Sequence, residues 1–309
     1  MVKIMIFGSG AVGAYFGARL LAAGRDVTLI ARGHQLQAMR EHGLHIESID
    51  GDLTLPKVPV TDDVTGVGHI DLVLVAVKAW QLDQAIAQLR PAIQSHTVIL
   101  PLLNGIEVAP LLVNAFSAEQ VMGGLCKIVS KIEAPGKIQH FGAKPTIVFG
   151  ELNQTLSDRA LQIQQQLAVP GIKAQAVADI QLEMWEKFLF ITSLSGMGAL
   201  TDVAVGALRA DDEMRDLITR VMHEIVAVAQ ACGVEFNDNI IDQTWRFFDL
   251  LPTQTTTSMQ RDIRHQKPSE LEAQCGAVIR LARQHGVATP LNEMIYHCLR
   301  VRQIPHQSG

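Results

Sequence analysis

The chain has 309 residues and a formal net charge of −5; 48% of residues are apolar and 18% charged. This composition excludes global disorder, and the length favours two domains over one. The longest uninterrupted apolar run, residues 72–77, is far short of the roughly 20 residues a spanning helix needs, and no basic block stands out. Neither a membrane nor a nucleic acid is therefore expected as a partner.

Residues 3–7 read as a short apolar strand, followed at once by Gly8-Ser9-Gly10-Ala11-Val12-Gly13. A helix-like stretch over 14–23 closes at Gly24, and a second strand spans 26–31. Strand, glycine turn, helix and parallel strand make one βαβ unit. Residues 71–77 form a nearly continuous apolar strand, as expected where helices cover both faces of a sheet. A helix over 81–89 and a strand over 97–100 follow. Further strands are expected at 125–132, 137–141, 146–149 and 172–176, with Pro135-Gly136 turning between the first two.

Near residue 179 glycine turns thin out and helical periods take over, at 182–199, 211–232, 239–250 and 270–285. The expected fold is an α/β N-terminal domain with a mostly parallel sheet, residues 1–178, followed by an all-α domain, residues 179–309. Residues 305–309 should fray. Cys126, Cys232, Cys275 and Cys298 contain no Cys-x-x-Cys pair, and the N-terminus does not read as an export signal. Free thiols and a cytoplasmic location are expected. His140, His223, His265 and His285 form no metal-ligand pattern, and no metal is expected.

A bare G-x-G-x-x-G is weak evidence, but here it directly follows a strand and opens a helix. Gly8 lets the chain turn, Gly10 lets the backbone approach a pyrophosphate, and Gly13 allows close helix–sheet packing. Ser9, Ala11 and Val12 complete the turn, whose amides and helix dipole favour phosphate. The competing reading is a tight turn without a ligand. An NAD site usually carries an acid about 20 residues on. This chain has Arg32, which can grip a 2′-phosphate with paired bonds, so the expected cofactor is NADP(H). An ordinary solvated arginine is the alternative.

Beyond these residues the chain resembles the ketopantoate reductase family (2-dehydropantoate 2-reductases). The resemblance runs in order through Val77-Lys78-Ala79-Trp80-Gln81, Leu103-Asn104-Gly105 and Ala134-Pro135-Gly136-Lys137-Ile138. It continues through Glu183-Met184-Trp185-Glu186-Lys187 and Ser258-Met259-Gln260-Arg261-Asp262, with Glu270 twelve residues after Ser258. It implies a Rossmann domain joined to a helical domain of the phosphogluconate-dehydrogenase-like kind, with the active site between them. The implied reaction is hydride transfer from NADPH to a small 2-keto acid. The implied roles are Lys187 as general acid, Asn104 beside nicotinamide and substrate, Lys78 in the cofactor site, Ser258 on the substrate, and Glu270 over the reacting groups.

The residue types suit those roles. Hydride attack leaves charge on the ketone oxygen, which an ammonium can both stabilise and protonate. On residues alone, Glu183 and Lys187 could equally be a surface i,i+4 ion pair, although Met184, Trp185, Phe188 and Phe190 crowd the lysine. Lys78 and Asn104 follow strands, at the sheet edge where ligands bind; a capping cation and a plain turn are the rival readings. Glu270 has the rival of a helix start, with Ser269 as cap and Glu272 three residues on.

The chain also departs from the family pattern, whose catalytic helix carries asparagines four and eight residues after the lysine. Those positions are Ile191 and Ser195 here, and a further polar position corresponds to Val205. Either Thr192, Ser193, Ser195 and Ser258 rebuild a polar substrate site, or the keto acid is a different, more apolar one. The competing functions are an NADP-linked 3-hydroxyacid dehydrogenase and a non-catalytic NADP(H)-binding sensor. A homodimer is the default assembly.

Overall fold

The computed structural model describes residues 2–303, so the fraying expected at 305–309 lies outside the described residues. The chain forms two compact units: Met1–Leu103 with Val108–Ile180, and Asn104–Glu107 with Gln181–Gly309.

The first unit begins with β1 (Lys3–Phe7), α1 (Ala11–Ala22), β2 (Asp26–Ile30) and α2 (Gly33–His42). Then come β3 (Leu44–Ser48), β4 (Leu53–Leu55), β5 (Val60–Thr61), β6 (Leu72–Val75), α3 (Leu82–Leu89) and β7 (Val98–Pro101). It ends with α4 (Val108–Ala115), β8 (Gly123–Ala134), β9 (Lys137–Gly150), α5 (Asp158–Leu167) and β10 (Lys173–Ala176). One sheet has the order β5-β2-β1-β6-β7, and all its pairings are parallel. Its central strands are apolar on both faces: Ile4, Met5, Ile6, Val73 and Leu74 are all 0% exposed. α1 packs Tyr15 and Phe16 into the same core, and Gly17 lets it lie against Leu29, where a Cβ would come within 2.4 Å of that side chain.

A second sheet, not anticipated as separate, has the order β10-β9-β3-β4, with β8 antiparallel to β9. β3 and β4 are absent from the sequence expectation because they are short and mixed in polarity. The strands expected at 137–141 and 146–149 are two halves of β9. Phe141 pairs with Val129 and Thr146 with Lys127, so residues 142–145 bulge opposite Ile128.

The second unit is helical: α6 (Ile180–Thr201), α7 (Val205–Ala210), α8 (Asp212–Ala231), α9 (Ile240–Leu250), α10 (Ser258–Arg264), α11 (Ala277–His285) and α12 (Pro290–Gln303). A five-residue π turn, Glu272–Gly276, precedes α11. Asp211 caps α8 by accepting from the Met214 amide. The core gathers Trp185, Phe188, Met222, Ile225, Phe248 and Met259. Val205, read from sequence as facing a substrate, is 1% exposed within this core. Among the described residues no helix is long and apolar enough to cross a membrane.

Candidate active site

In the first unit the glycine turn lies at the carboxyl end of β1. Gly8 has φ +101, and a Cβ there would lie 2.7 Å from Val77 Cγ1. A Cβ on Gly13 would lie 2.0 Å from the Gly8 carbonyl, so helix and turn touch backbone to backbone. Gly10 differs: a Cβ there would meet nothing within 4 Å. The N-terminus of α1 has no side-chain cap and no acid in its first turn. Open space, uncapped amides and a helix dipole together make a place for an anion. Ser9 is committed elsewhere, its amide and hydroxyl both donating to the Ile30 carbonyl at 3.0 and 2.9 Å. It ties the turn to β2 rather than offering its side chain to a ligand.

Arg32 lies just past β2 as the residue before α2, exposed, and its guanidinium makes no hydrogen bond or ion pair among the described residues. The segment Ala31-Arg32-Gly33-His34 at this strand end carries no acid, so the exposed guanidinium is available to an anionic group. Lys78 follows β6, half-buried, with its amide donating to Gln81 Oε1 at 3.1 Å.

The second unit holds the remaining candidates. Lys187 and Ile191, both half-buried, and Ser195, 0% exposed, occur at four-residue intervals along α6 and so share a face. Ser195 Oγ and Thr192 Oγ1 are buried and have no hydrogen-bond partner among the described residues. Ser193 is 0% exposed and its hydroxyl proton goes to the Leu189 carbonyl at 2.7 Å, which leaves it acceptor capacity alone. Ser258 is the half-buried first residue of α10, whose cap is Thr257.

Asn104 Nδ2 donates to Glu270 Oε2 at 2.9 Å, joining two candidates 166 residues apart. Glu270 is 3% exposed. The helix-start reading of this segment holds in part: Ser269 caps a turn in which the Gln274 amide donates to the Glu270 carbonyl at 3.0 Å, while among the described residues Glu272 does not close a reciprocal box. Ser269 Oγ accepts from the Leu271 amide at 3.3 Å and donates to Gln303. Glu272 instead accepts from Arg280 at 3.1 Å and from Tyr296 Oη at 2.6 Å. Arg280 also grips both oxygens of Glu107, at 3.2 and 2.6 Å. The short segment bearing Asn104 is thus held at both ends. Gly105, at φ +115, supplies a backbone bend that a side chain would resist. Sequence reading missed Glu107, Arg280 and Tyr296 and gave Glu272 only as a capping acid, since nothing local signals a clamp across 173 positions.

The family description Ketopantoate reductase PanE/ApbA matches residues 4–154, and Ketopantoate reductase PanE/ApbA C terminal matches residues 179–303. The chain belongs to the ketopantoate reductase family. Among relatives of this ketopantoate reductase family member, the uncharacterized oxidoreductase YkpB of Bacillus subtilis is 31% identical over 302 residues, 97% of this chain and 98% of that one. The 2-dehydropantoate 2-reductase of Nostoc sp. is 31% identical over 312 residues, covering 99% and 97%. The crystal structure of 2-dehydropantoate 2-reductase from Geobacter metallireducens superposes with a TM-score of 0.91 at 30% identity, covering 97% and 99%. Like other members of the ketopantoate reductase family, this chain is an oxidoreductase acting on a CH–OH group.

Proposed function

We propose that the protein reduces a 2-keto acid to the 2-hydroxy acid with NADPH, taking the proton from Lys187. The Asn104–Glu270 hydrogen bond supports this reading most, because two residues singled out separately for one site meet in the fold. Bound NADPH supplies the hydride. Gly8, Gly10 and Gly13, with the amides of Ala11 and Val12, form the pyrophosphate cradle, and Ser9 holds the turn against β2. Arg32 holds the 2′-phosphate, and Lys78 adds a cation at the same sheet edge.

Lys187 neutralises the oxyanion left by hydride attack and then donates its proton. Asn104 offers an amide to the substrate or nicotinamide while Glu270 fixes its orientation. Ser258 contacts the substrate, while Ser195, 0% exposed, lies beneath the face of α6 that carries Lys187 rather than open on it. Ile191, between Lys187 and Ser195 on one helix face, favours a keto acid with a more apolar side chain than ketopantoate. A homodimer is the proposed assembly, which sedimentation velocity checks.

Steady-state kinetics with ketopantoate and a series of apolar 2-keto acids test the substrate, and ketopantoate as best substrate by a wide margin would reject the altered pocket. Lys187→Ala should lose about 10²–10⁴ in kcat while NADPH still binds. Full turnover in that variant would exclude the lysine as acid. Arg32→Ala should weaken NADPH by roughly tenfold or more and NADH little, the loss of charge-assisted bonds. Equal losses for both cofactors would remove Arg32 from the phosphate site.

A further inference from the structure

The glycine turn occupies the carboxyl end of the parallel sheet. At the amino end, unrelated to it, three metal-ligating side chains converge. His69 and Asp71 lie just before β6, and His96 just before β7. His69 Nε2 is 2.8 Å from Asp71 Oδ1. The imidazoles of His69 and His96 stack with centroids 4.5 Å apart and planes 19° from parallel. One ligand atom from each residue lies within 4.8 Å of the other two. Ligands about 2.0–2.1 Å from a tetrahedral metal are roughly 3.3 Å apart, so shifts of about 1–1.5 Å complete the geometry. Both histidines are exposed and can turn by that much.

The backbone beneath them is fixed. Asp71 Oδ2 accepts from the Lys3 amide at 2.8 Å, which orients the carboxylate from behind. The Asp71 amide donates to the Lys3 carbonyl at 3.0 Å, and its carbonyl accepts from Val98 at 2.8 Å. Thr97, 0% exposed, donates its hydroxyl to the Ile70 carbonyl at 2.8 Å and accepts from the Gln94 amide at 3.1 Å. The turn bearing His96 is therefore tethered to the segment bearing His69 and Asp71. Two imidazoles and one carboxylate suit zinc, cobalt, nickel or copper far better than magnesium or calcium, which prefer all-oxygen shells.

We propose that His69, Asp71 and His96 form a binding site for one divalent transition-metal ion. The ion bridges the segments leading into two neighbouring strands and leaves at least one coordination position to solvent. Sequence spacing hides the site, because His69-x-Asp71 acquires its third ligand only when β6 and β7 pair in register, Leu72 with Val98.

The test uses the full chain, free of affinity tags and stripped with a chelator. It is titrated with Zn2+ in a calorimeter and with Co2+ followed by absorption. One equivalent should bind, and Zn2+ should raise the melting temperature. His69→Ala and His96→Ala should each weaken binding at least tenfold and abolish the thermal shift, with circular dichroism unchanged. Mg2+ and Ca2+ should give neither response. No uptake by the unmodified protein at millimolar Zn2+ overturns the proposal. So does undiminished binding in the double histidine variant, which would place the ion elsewhere.

Discussion

Gly10 and Gly13 stand three residues apart in one motif, yet their surroundings set opposite outcomes for the same substitution. Gly13→Ala would drive a methyl to 2.0 Å from the Gly8 carbonyl and 3.0 Å from Ile6 Cγ2. Backbone cannot give way as a flexible side chain does, so the variant should lose about 1–3 kcal/mol of stability or more. Gly10→Ala meets open space and should leave the urea midpoint nearly unchanged while weakening NADPH, because the methyl enters the volume proposed for phosphate. Equilibrium denaturation and cofactor titration on both variants separate packing from ligand approach. A Gly10→Ala protein with unaltered NADPH affinity would remove that glycine from the phosphate cradle. The tight turn and the close approach at Gly13 were legible in the sequence because a strand–turn–helix is local. The Asn104–Glu270 bond and the Arg280 clamp were not, because each depends on distant chain segments meeting.

At the scale of elements, the π turn before α11 carries an uncompensated group. Gln274 is 0% exposed, and among the described residues neither amide atom has a hydrogen-bond partner. The turn itself is formed, with the Gly276 amide donating to the Leu271 carbonyl at 3.0 Å. A buried polar atom without a partner costs about 1–3 kcal/mol. Gln274→Met keeps the volume and removes the unmet donor and acceptor, so it should stabilise the protein by about 1 kcal/mol or more. Gln274→Ala should instead destabilise, because it leaves a cavity. Urea unfolding of both variants checks the pair, and a lower midpoint for Gln274→Met would sink the explanation. Single elements differed in how well they could be foreseen. Long, strongly apolar segments such as α6 and the centre of the parallel sheet were readable from their apolar runs and lengths. α2, α4, α5, α7, α10 and α12 were missed, α7 and α10 being only 6 and 7 residues long. The π turn has no sequence period of its own, and residues 270–285 read as one continuous helix.

On the scale of the whole molecule, each hydrophobic core closes within its own unit. Phe16 anchors the first and Phe248 the second, both 0% exposed. The two-part division was foreseeable from the change of pattern near residue 179. The membership of Asn104–Glu107 in the helical unit was not, because those residues follow β7 directly and look like an ordinary strand-end turn. A fragment starting after residue 180 would take Asn104 from Glu270 and Glu107 from Arg280, so separate stabilities are better measured in the intact chain. Phe16→Ala and Phe248→Ala should each cost about 3–5 kcal/mol, through lost burial plus the cavity left behind. If the cores are separate cooperative units, the losses stay local. Hydrogen exchange read by mass spectrometry should then speed up in β1 and β6 for Phe16→Ala, and in α8 and α9 for Phe248→Ala. Equal acceleration everywhere, from either substitution, would mean that the chain opens as one body and that the two cores share a single stability.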